Sequence, residues 1–286
     1  MPDQIRKITI NDTEYPESLK HIHNPPQQLY VRGNLNTQGV LLGVVGSRVP
    51  TTYGKQVTPR ITREIASSGI TIVSGLALGI DGLAHEAALE VSGKTIAILG
   101  SGIDDRSVYP SSHRNLAERI IKSGGTVISE YPSGTKPEKY HFPERNRIIA
   151  GVCQGILVIE AKAKSGALIT AKLAVQENRD VFAVPGPITS ENSFGTNRLI
   201  QLGAKAVLDA NDILEEYGMD NNALRVVEDN LDEQEKIIFG ILKGGPSHVD
   251  EIIIKSDIAA AALNALLVTM EIKGLIKSLG GGIYGL

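Results

Sequence analysis

Hydrophobic and polar positions along this chain alternate between two periods. From Val40 onward, short runs of Val, Ile and Leu recur at residues 40–45, 70–73, 95–99, 127–128, 156–159 and 181–184, with a weaker run at 206–208. These runs are continuous rather than alternating, the pattern of strands covered on both faces. Between them Ile61, Ile65, Ala84, Ala87, Ala88, Leu116, Ile120 and Ile121 fall at three- and four-residue spacings, as on the buried face of a helix. Short strands alternating with helices predict an α/β fold with a doubly wound, mostly parallel sheet. Right-handed crossovers then bring every loop that follows a strand to one edge of the sheet, where such folds bind ligands.

The flanks read differently. Residues 1–39 form an N-terminal extension with one alternating stretch, Ile5–Ile10, and a Pro25-Pro26 turn before Leu29-Tyr30-Val31. The core domain spans 40–217. Residues 218–230 are rich in Asn and acids without apolar period and read as a linker. Within 231–286, helical stretches at 233–242, 248–254 and 258–272 precede Leu275-Ile276, a triple-Gly turn and Ile283-Tyr284. Three helices followed by a hairpin predict a small winged-helix domain.

Composition narrows the class. In 286 residues there are 29 Lys+Arg, 32 Asp+Glu and one Cys, with 42% hydrophobic residues, ordinary for a folded protein. A lone Cys excludes a disulfide framework and a Cys-rich zinc module. The first residues lack a signal-peptide apolar region, and no apolar run approaches the ~20 residues of a membrane span; the expectation is a cytoplasmic protein. A net charge of −3 argues mildly against a nucleic-acid partner when taken alone.

The loops after the strands change that picture. Gly46-Ser47-Arg48, Ser74–Asp81, Gly100-Ser101-Gly102, Ser133-Gly134, Ser165-Gly166 and Pro185-Gly186 would line one edge. Glycine lets backbone N–H groups approach a ligand, and the helix starts that follow add unpaired donors. A row of such loops suits phosphates, while tight strand-to-helix turns alone would also need the glycines. The Gly100 loop has Asp105 where a third dinucleotide-binding Gly belongs, and no G-x-x-x-x-G-K-[ST] run exists; no cofactor is expected. Between Lys136 and Arg147 the cations Lys136, Lys139, Arg145 and Arg147 are interleaved with Tyr140, His141 and Phe142, and with Asn146, in a protein only 4% aromatic. That mixture suits single-stranded nucleic acid, whose phosphates meet cations and whose bases stack on rings. The alternative is a loop with Phe142 in the core and Arg145 paired to a carboxylate. Lys162 and Lys164 would extend a positive rim. Asp81 and His85 lie four residues apart at a helix start, so either they meet or Asp81 caps the helix and His85 packs beneath the loop. No metal-ligand spacing is present, and Cys153 reads as a buried structural thiol.

These residues resemble the DNA-processing protein A (DprA/Smf) family. The resemblance rests on Val45–Arg48, Ser74–Asp81 with Ala84-His85, Phe142–Gly151, Ser165–Ala171, Val184–Gly186 and Gly195–Ile200, and runs from about Tyr15 to Tyr217. It implies an extended Rossmann-like domain that binds single-stranded DNA, usually as a homodimer, protects incoming strands and loads the RecA recombinase in transformation and homologous recombination, without enzymatic activity. By motif match Arg48 would be a principal phosphate contact, with Gly46 and Ser47 supplying loop donors. Lys139 would hold a second phosphate and Phe142 would sit near a base. Gly166 and its neighbours, Lys164, Ser165 and Thr170 among them, would form an anion site at a helix head. Arg145, Asn146 and Arg147 complete the expected set.

Three departures from the family are visible. The N-terminal extension is too short for the helical SAM-like domain that many members carry. Asp105-Arg106-Ser107 lengthens one loop, making Arg106 either an added contact or a plain insertion. Ala167 replaces a frequent Ser.

The main competing class is a Rossmann-like enzyme acting on nucleotide monophosphates, of the phosphoribohydrolase type. Such enzymes need P-G-G-x-G-T-x-x-E, and Pro185-Gly186-Pro187 breaks it. From Gly218 to Leu286 there are six Lys/Arg and ten Asp/Glu, and Lys273 is the sole cation between Asp257 and Lys273. A helix meant for a phosphate-lined groove carries more, so the winged helix is expected to contact protein.

Overall fold

The structure, a computed structural model, describes residues 4–219, 231–243, 245–256, 258–273 and 275–285. The chain forms two compact units divided between residues 221 and 222. Most of the segment read as a linker, from Asp220 to Asn230, lies outside the described residues.

In the first unit a nine-stranded sheet has the order β1-β2-β6-β5-β4-β3-β7-β8-β9. The strands are β1 (Arg6–Thr9), β2 (Gln28–Gly33), β3 (Leu41–Val45), β4 (Thr71–Ser74), β5 (Thr95–Leu99), β6 (Thr126–Ser129), β7 (Gly155–Val158), β8 (Asp180–Ala183) and β9 (Lys205–Ala206). From β3 to β9 all pairings are parallel, and β2 joins β6 and β1 antiparallel. The helices are α1 (Glu17–Lys20), α2 (Thr52–Ser67), α3 (Ile80–Glu90), α4 (Arg114–Lys122), α5 (His141–Val152), α6 (Gly166–Gln176), α7 (Phe194–Gln201) and α8 (Asn211–Leu214).

The continuous apolar runs have the two-sided burial that their pattern demands. Along β3 Leu41 and Val45 join one core cluster with α5 and α6, while Leu42 and Val44 join another with α2 and α3. The same alternation repeats on β7, where Ile156 and Val158 face the first cluster and Leu157 the second. Helices therefore cover both faces, and α2 and α6, which follow adjacent strands, lie on opposite sides.

The first 39 residues, set apart in the sequence reading, supply two strands of this sheet. Without β2, β6 would be an open edge with unpaired backbone groups. Tyr15, Leu19 and Leu29 are buried in the α5–α6 core, and Tyr15 Oη donates to the Pro26 carbonyl at 2.6 Å. Apolar spacing did not reveal this role because strands only four and six residues long carry little periodicity.

The second unit contains α9 (Glu233–Lys243), β10 (Ser247–His248), α10 (Val249–Ser256), α11 (Ala260–Ile272), β11 (Lys277–Gly280) and β12 (Ile283–Gly285). Its three strands pair in the order β10-β12-β11. Asp232 Oδ1 accepts from Glu235 N at 2.8 Å, and Glu235 Oε2 accepts from Asp232 N at 3.1 Å. This reciprocal cap starts α9. Ile238, Phe239, Leu242, Ile252, Leu263, Leu267 and Met270 make the unit's own core. Helix–helix–helix–wing is the arrangement expected of residues 231–286.

Replacing fully buried Leu19 by Ala is expected to destabilise the first unit by about 2–5 kcal/mol. A lowered urea midpoint at unchanged m-value would show it.

Candidate nucleic-acid interface

The strand order reverses its winding between β3 and β7. The chain runs outward from β3 through β4, β5 and β6, then returns beyond β3 to β7, β8 and β9. Because α2 and α6 leave on opposite faces, the carboxyl ends of β3 and β7 open into a crevice, the usual ligand position of such sheets. A cleft of about 670 Å³ lies there.

Residues 46–48, directly after β3, form one wall. Ser47 carries the turn: its carbonyl accepts from Ile80 N at 3.1 Å, and its hydroxyl donates to the Val49 carbonyl at 2.9 Å. Gly79, at φ +81°, allows α3 to start against this loop; a Cβ there would stand 2.8 Å from the Arg48 carbonyl atoms. The loop is held from below by Glu160, a buried carboxylate just past β7. Thr51 N donates to Glu160 Oε2 at 2.9 Å and the Thr51 hydroxyl donates to Oε1. Asn192 Nδ2 reaches the same Oε2 at 3.3 Å and the Val49 carbonyl at 3.1 Å. Thr51 also caps α2, accepting from Gly54 N at 3.2 Å. Arg48, exposed above this clamp, places its guanidinium 5.3 Å from the centroid of the Phe142 ring, within cation–π range.

The residues after β7 form the opposite wall. Ser165 caps α6, accepting from Ala167 N at 3.3 Å, and Leu168 N donates to the Ser165 carbonyl at 3.1 Å. Among the described residues the Gly166 N–H has no partner, which leaves a donor at the positive end of α6. The helix begins at Gly166. Thr170 lines the cleft but its hydroxyl turns back toward the Gly166 carbonyl at 3.5 Å. Lys162 is paired with Glu191 at 2.9 Å. Lys139, Lys164 and Arg48 line the cleft and are exposed, with no ion pair or hydrogen bond to their side chains among the described residues.

α5 supplies the floor. Residues 141–147, whose mixture of cations and rings admits a loop, are the first two turns of this helix. Phe142, Arg145, Asn146 and Ile149 face the cleft, the i, i+3, i+4, i+7 stripe of one helix face. Phe142 is half-buried beside the opening. Tyr131 stacks on His141 at 3.9 Å between centroids and donates its Oη to Glu144 Oε2 at 2.8 Å, which fixes the first turn.

Two arginines of the expected contact set have other work. Arg145 is buried: one guanidinium nitrogen donates to the Ile98 carbonyl, and the group lies against Gly75, where any Cβ would collide with it. Burial lowers its pKa to about 10, an effect that the Asp81 carboxylate opposes. Its charge is a strut between the loop after β4 and strand β5 rather than an open contact. Arg147 lies two residues further, across the helix, and donates to both oxygens of Glu130 at 2.6 and 2.7 Å. It is absent from the cleft because two helical residues turn the chain through about 200°.

Asp81 and His85 do not meet either. Asp81 sits inside the first turn of α3 behind a Gly79 cap and accepts from Gly75 N at 3.0 Å. Burial raises its carboxyl pKa against the pull of Arg145. His85 is buried, with Nδ1 2.7 Å from the Thr95 hydroxyl, which donates to the Ile72 carbonyl at 2.9 Å. That hydroxyl can only accept from His85, so Nδ1 carries the proton. Tyr109, in none of the motifs singled out in the sequence, also lines the cleft.

Residues 6–218 match the profile of the family described as DNA recombination-mediator protein A, and residues 223–282 match the DprA winged helix domain. The chain belongs to this family. DNA processing protein DprA of Bacillus subtilis is 45% identical over 214 residues, covering 74% of this chain and 71% of that protein. Protein Smf of Synechocystis is 37% identical across 97% of this chain and 79% of its own length. The X-ray structure of DprA from Streptococcus pneumoniae superposes with a TM-score of 0.70 at 43% identity, over 75% of each chain. A structure of Helicobacter pylori DNA processing protein A, solved for its single-stranded DNA binding mode, gives 0.67 at 29% identity, over 76% of this chain and 98% of that one. The winged module and the sheet together are thus the family's architecture.

Two outcomes test the supports of the site. Glu160→Ala leaves the Thr51 N–H and the Asn192 amide without their buried acceptor and is expected to cost about 1–3 kcal/mol; hydrogen exchange at residues 47–51 should rise. Burial holds the His85 imidazole at about pKa 3, below its unfolded value of about 6.5. The unfolded chain therefore binds the extra proton between those values, so stability is full above about pH 6.5 and falls as pH drops. Denaturant titrations at pH 7 and pH 5 should show a smaller loss in His85→Gln than in the parent.

Proposed function

We propose that the cleft binds single-stranded DNA and that the protein acts as a recombination mediator, protecting the strand and passing it to a RecA-type recombinase without covalent chemistry. One observation carries the reading: the exposed Arg48 guanidinium lies over the Phe142 ring in a cleft also lined by unpaired Lys139 and Lys164 and by Gly166 with its free N–H. Cations and an open helix head suit phosphates, and a half-exposed ring suits an unpaired base, which a duplex keeps inside its stack. The structure of the Helicobacter pylori relative supports the same ligand class. Asp81 and His85, the side chains best suited to acid–base work, are both committed to buried hydrogen bonds. Lys139, Lys164, Ser165, Gly46 and Ser47 would contact the backbone and Asn146 a base edge; Thr170 would shape the wall.

A homodimer in the cytoplasm is part of this proposal. Val175 on α6, Phe194 on α7 and Leu202 just past α7 are all more than half exposed and offer an apolar face that a second copy would cover. The winged helix would contact protein rather than duplex. The exposed side of α11 carries Ala261, Asn264, Ala265, Val268, Thr269 and Ile272 without a cation.

Anisotropy titration of single- against double-stranded oligonucleotides over a salt series tests the reading. Binding should favour single strands, and Arg48→Ala should weaken it for every sequence and flatten the salt slope by about 0.7. Equal affinity for duplex, or an unchanged Arg48→Ala variant, would count against it. Truncation after Met219 is expected to leave single-strand affinity within about twofold, because the unpaired cations of the cleft all lie in the first unit.

A further inference from the structure

The positive surface continues past Phe142. Tyr109 closes the loop after β5, with its ring centroid 5.7 Å from that of Phe142 and 47% of its surface exposed. The acids of the loop both have partners, Asp105 while remaining exposed. Asp104 Oδ1 accepts from Gly134 N at 2.8 Å, and Asp105 Oδ1 accepts from Arg32 Nη1 at 2.6 Å. Arg106, directly after Asp105, is exposed, and its carbonyl accepts from Arg114 Nη2 at 3.1 Å. A second exposed guanidinium, at the start of α4, is thereby held against the same loop. Among the described residues neither arginine has an ion pair. Further along α4 the cations are compensated: Arg119 lies 3.8 Å from Glu86 and Lys122 3.4 Å from Glu118.

We propose that Tyr109, Arg106 and Arg114 form a second contact for a single strand leaving the cleft. The Tyr109 ring would stack on a base next to the one at Phe142, and the two guanidinium groups would take the phosphates that follow. Three features support this. Stacking on an exposed ring tolerates any base. An arginine fork matches a phosphate better than an ammonium does. The loop is braced at Asp104, Asp105 and the Arg106 carbonyl, so ordering it on binding costs little. The lengthened Asp105-Arg106-Ser107 segment is then an added binding element. The proposal rests on the cleft being a single-strand site, and it sets a length requirement that the cleft alone does not.

The test uses the full chain with fluorescein-labelled oligo-dT of about 6 and about 20 nucleotides, lengths below and above one extended site, across a salt series. Arg106→Gln/Arg114→Gln removes both charges while keeping a donor for the loop carbonyl, and its melting temperature should match the parent. The double variant is expected to bind the longer oligonucleotide about tenfold more weakly, with a salt slope shallower by about 1.4, and to bind the shorter one as the parent does. Unchanged binding of the longer strand, or equal weakening on both lengths, overturns the second contact. Arg48→Ala separates the two levels: it should weaken both lengths, and if it affects neither, or the parent binds no single strand, the reading of the cleft fails first.

Discussion

At the seam between β3 and β7 two neighbouring parallel strands send their helices to opposite faces. A parallel sheet leaves no freedom here, because right-handed crossovers on either side of the reversal must diverge. The strand ends at that seam release α2 to one face and α6 to the other, and the site is assembled from the loops between. Arg48 comes from the β3 side and Lys164, Ser165 and Gly166 from the β7 side. α5, which crosses back over the sheet to reach β7, passes under the opening and offers Phe142 and Asn146.

Holding an arginine-bearing loop above that seam requires backbone groups to be satisfied away from water. Glu160 does this with one carboxylate, taking Thr51 N–H, Thr51 O–H and the Asn192 amide, while Asn192 also reaches back to Val49. Removing any one partner strands the others, so the wall behaves as a unit. Arg145 plays a comparable part on the far side, joining the loop after β4 to strand β5 beneath the floor. The site therefore has a charged, exposed layer over a hydrogen-bonded buried one.

Charge is sorted by partners rather than by number. Of seven cations in or near the loops, Arg147 and Lys162 are paired and Arg145 is buried. A paired cation contributes little attraction for a further anion, so the effective field belongs to the other four: Arg48, Lys139 and Lys164 in the cleft, and Lys136, exposed but outside its lining. The chain's net charge of −3 averages this local surface with an acidic second unit, and predicts nothing about it.

The sequence by itself determined the βαβ alternation, the single edge on which the loops gather, the winged module and the family, because apolar runs, glycine turns and long ordered motifs are local properties of the chain. Arg48, Lys139, Phe142 and Gly166 were legible for the same reason: each belongs to a short motif next to a strand end or helix start. Tertiary structure alone decided that Arg145 is a strut and Arg147 is turned away, since burial and helix phase depend on what packs against α5. It alone joined Thr51, Glu160 and Asn192, which stand more than 100 residues apart from end to end, and brought Tyr109 beside Phe142. It also made Arg6–Thr9 and Gln28–Gly33 strands of the sheet. Those contacts span distant segments, and no local pattern of hydrophobic and polar residues encodes which distant partner a side chain will meet.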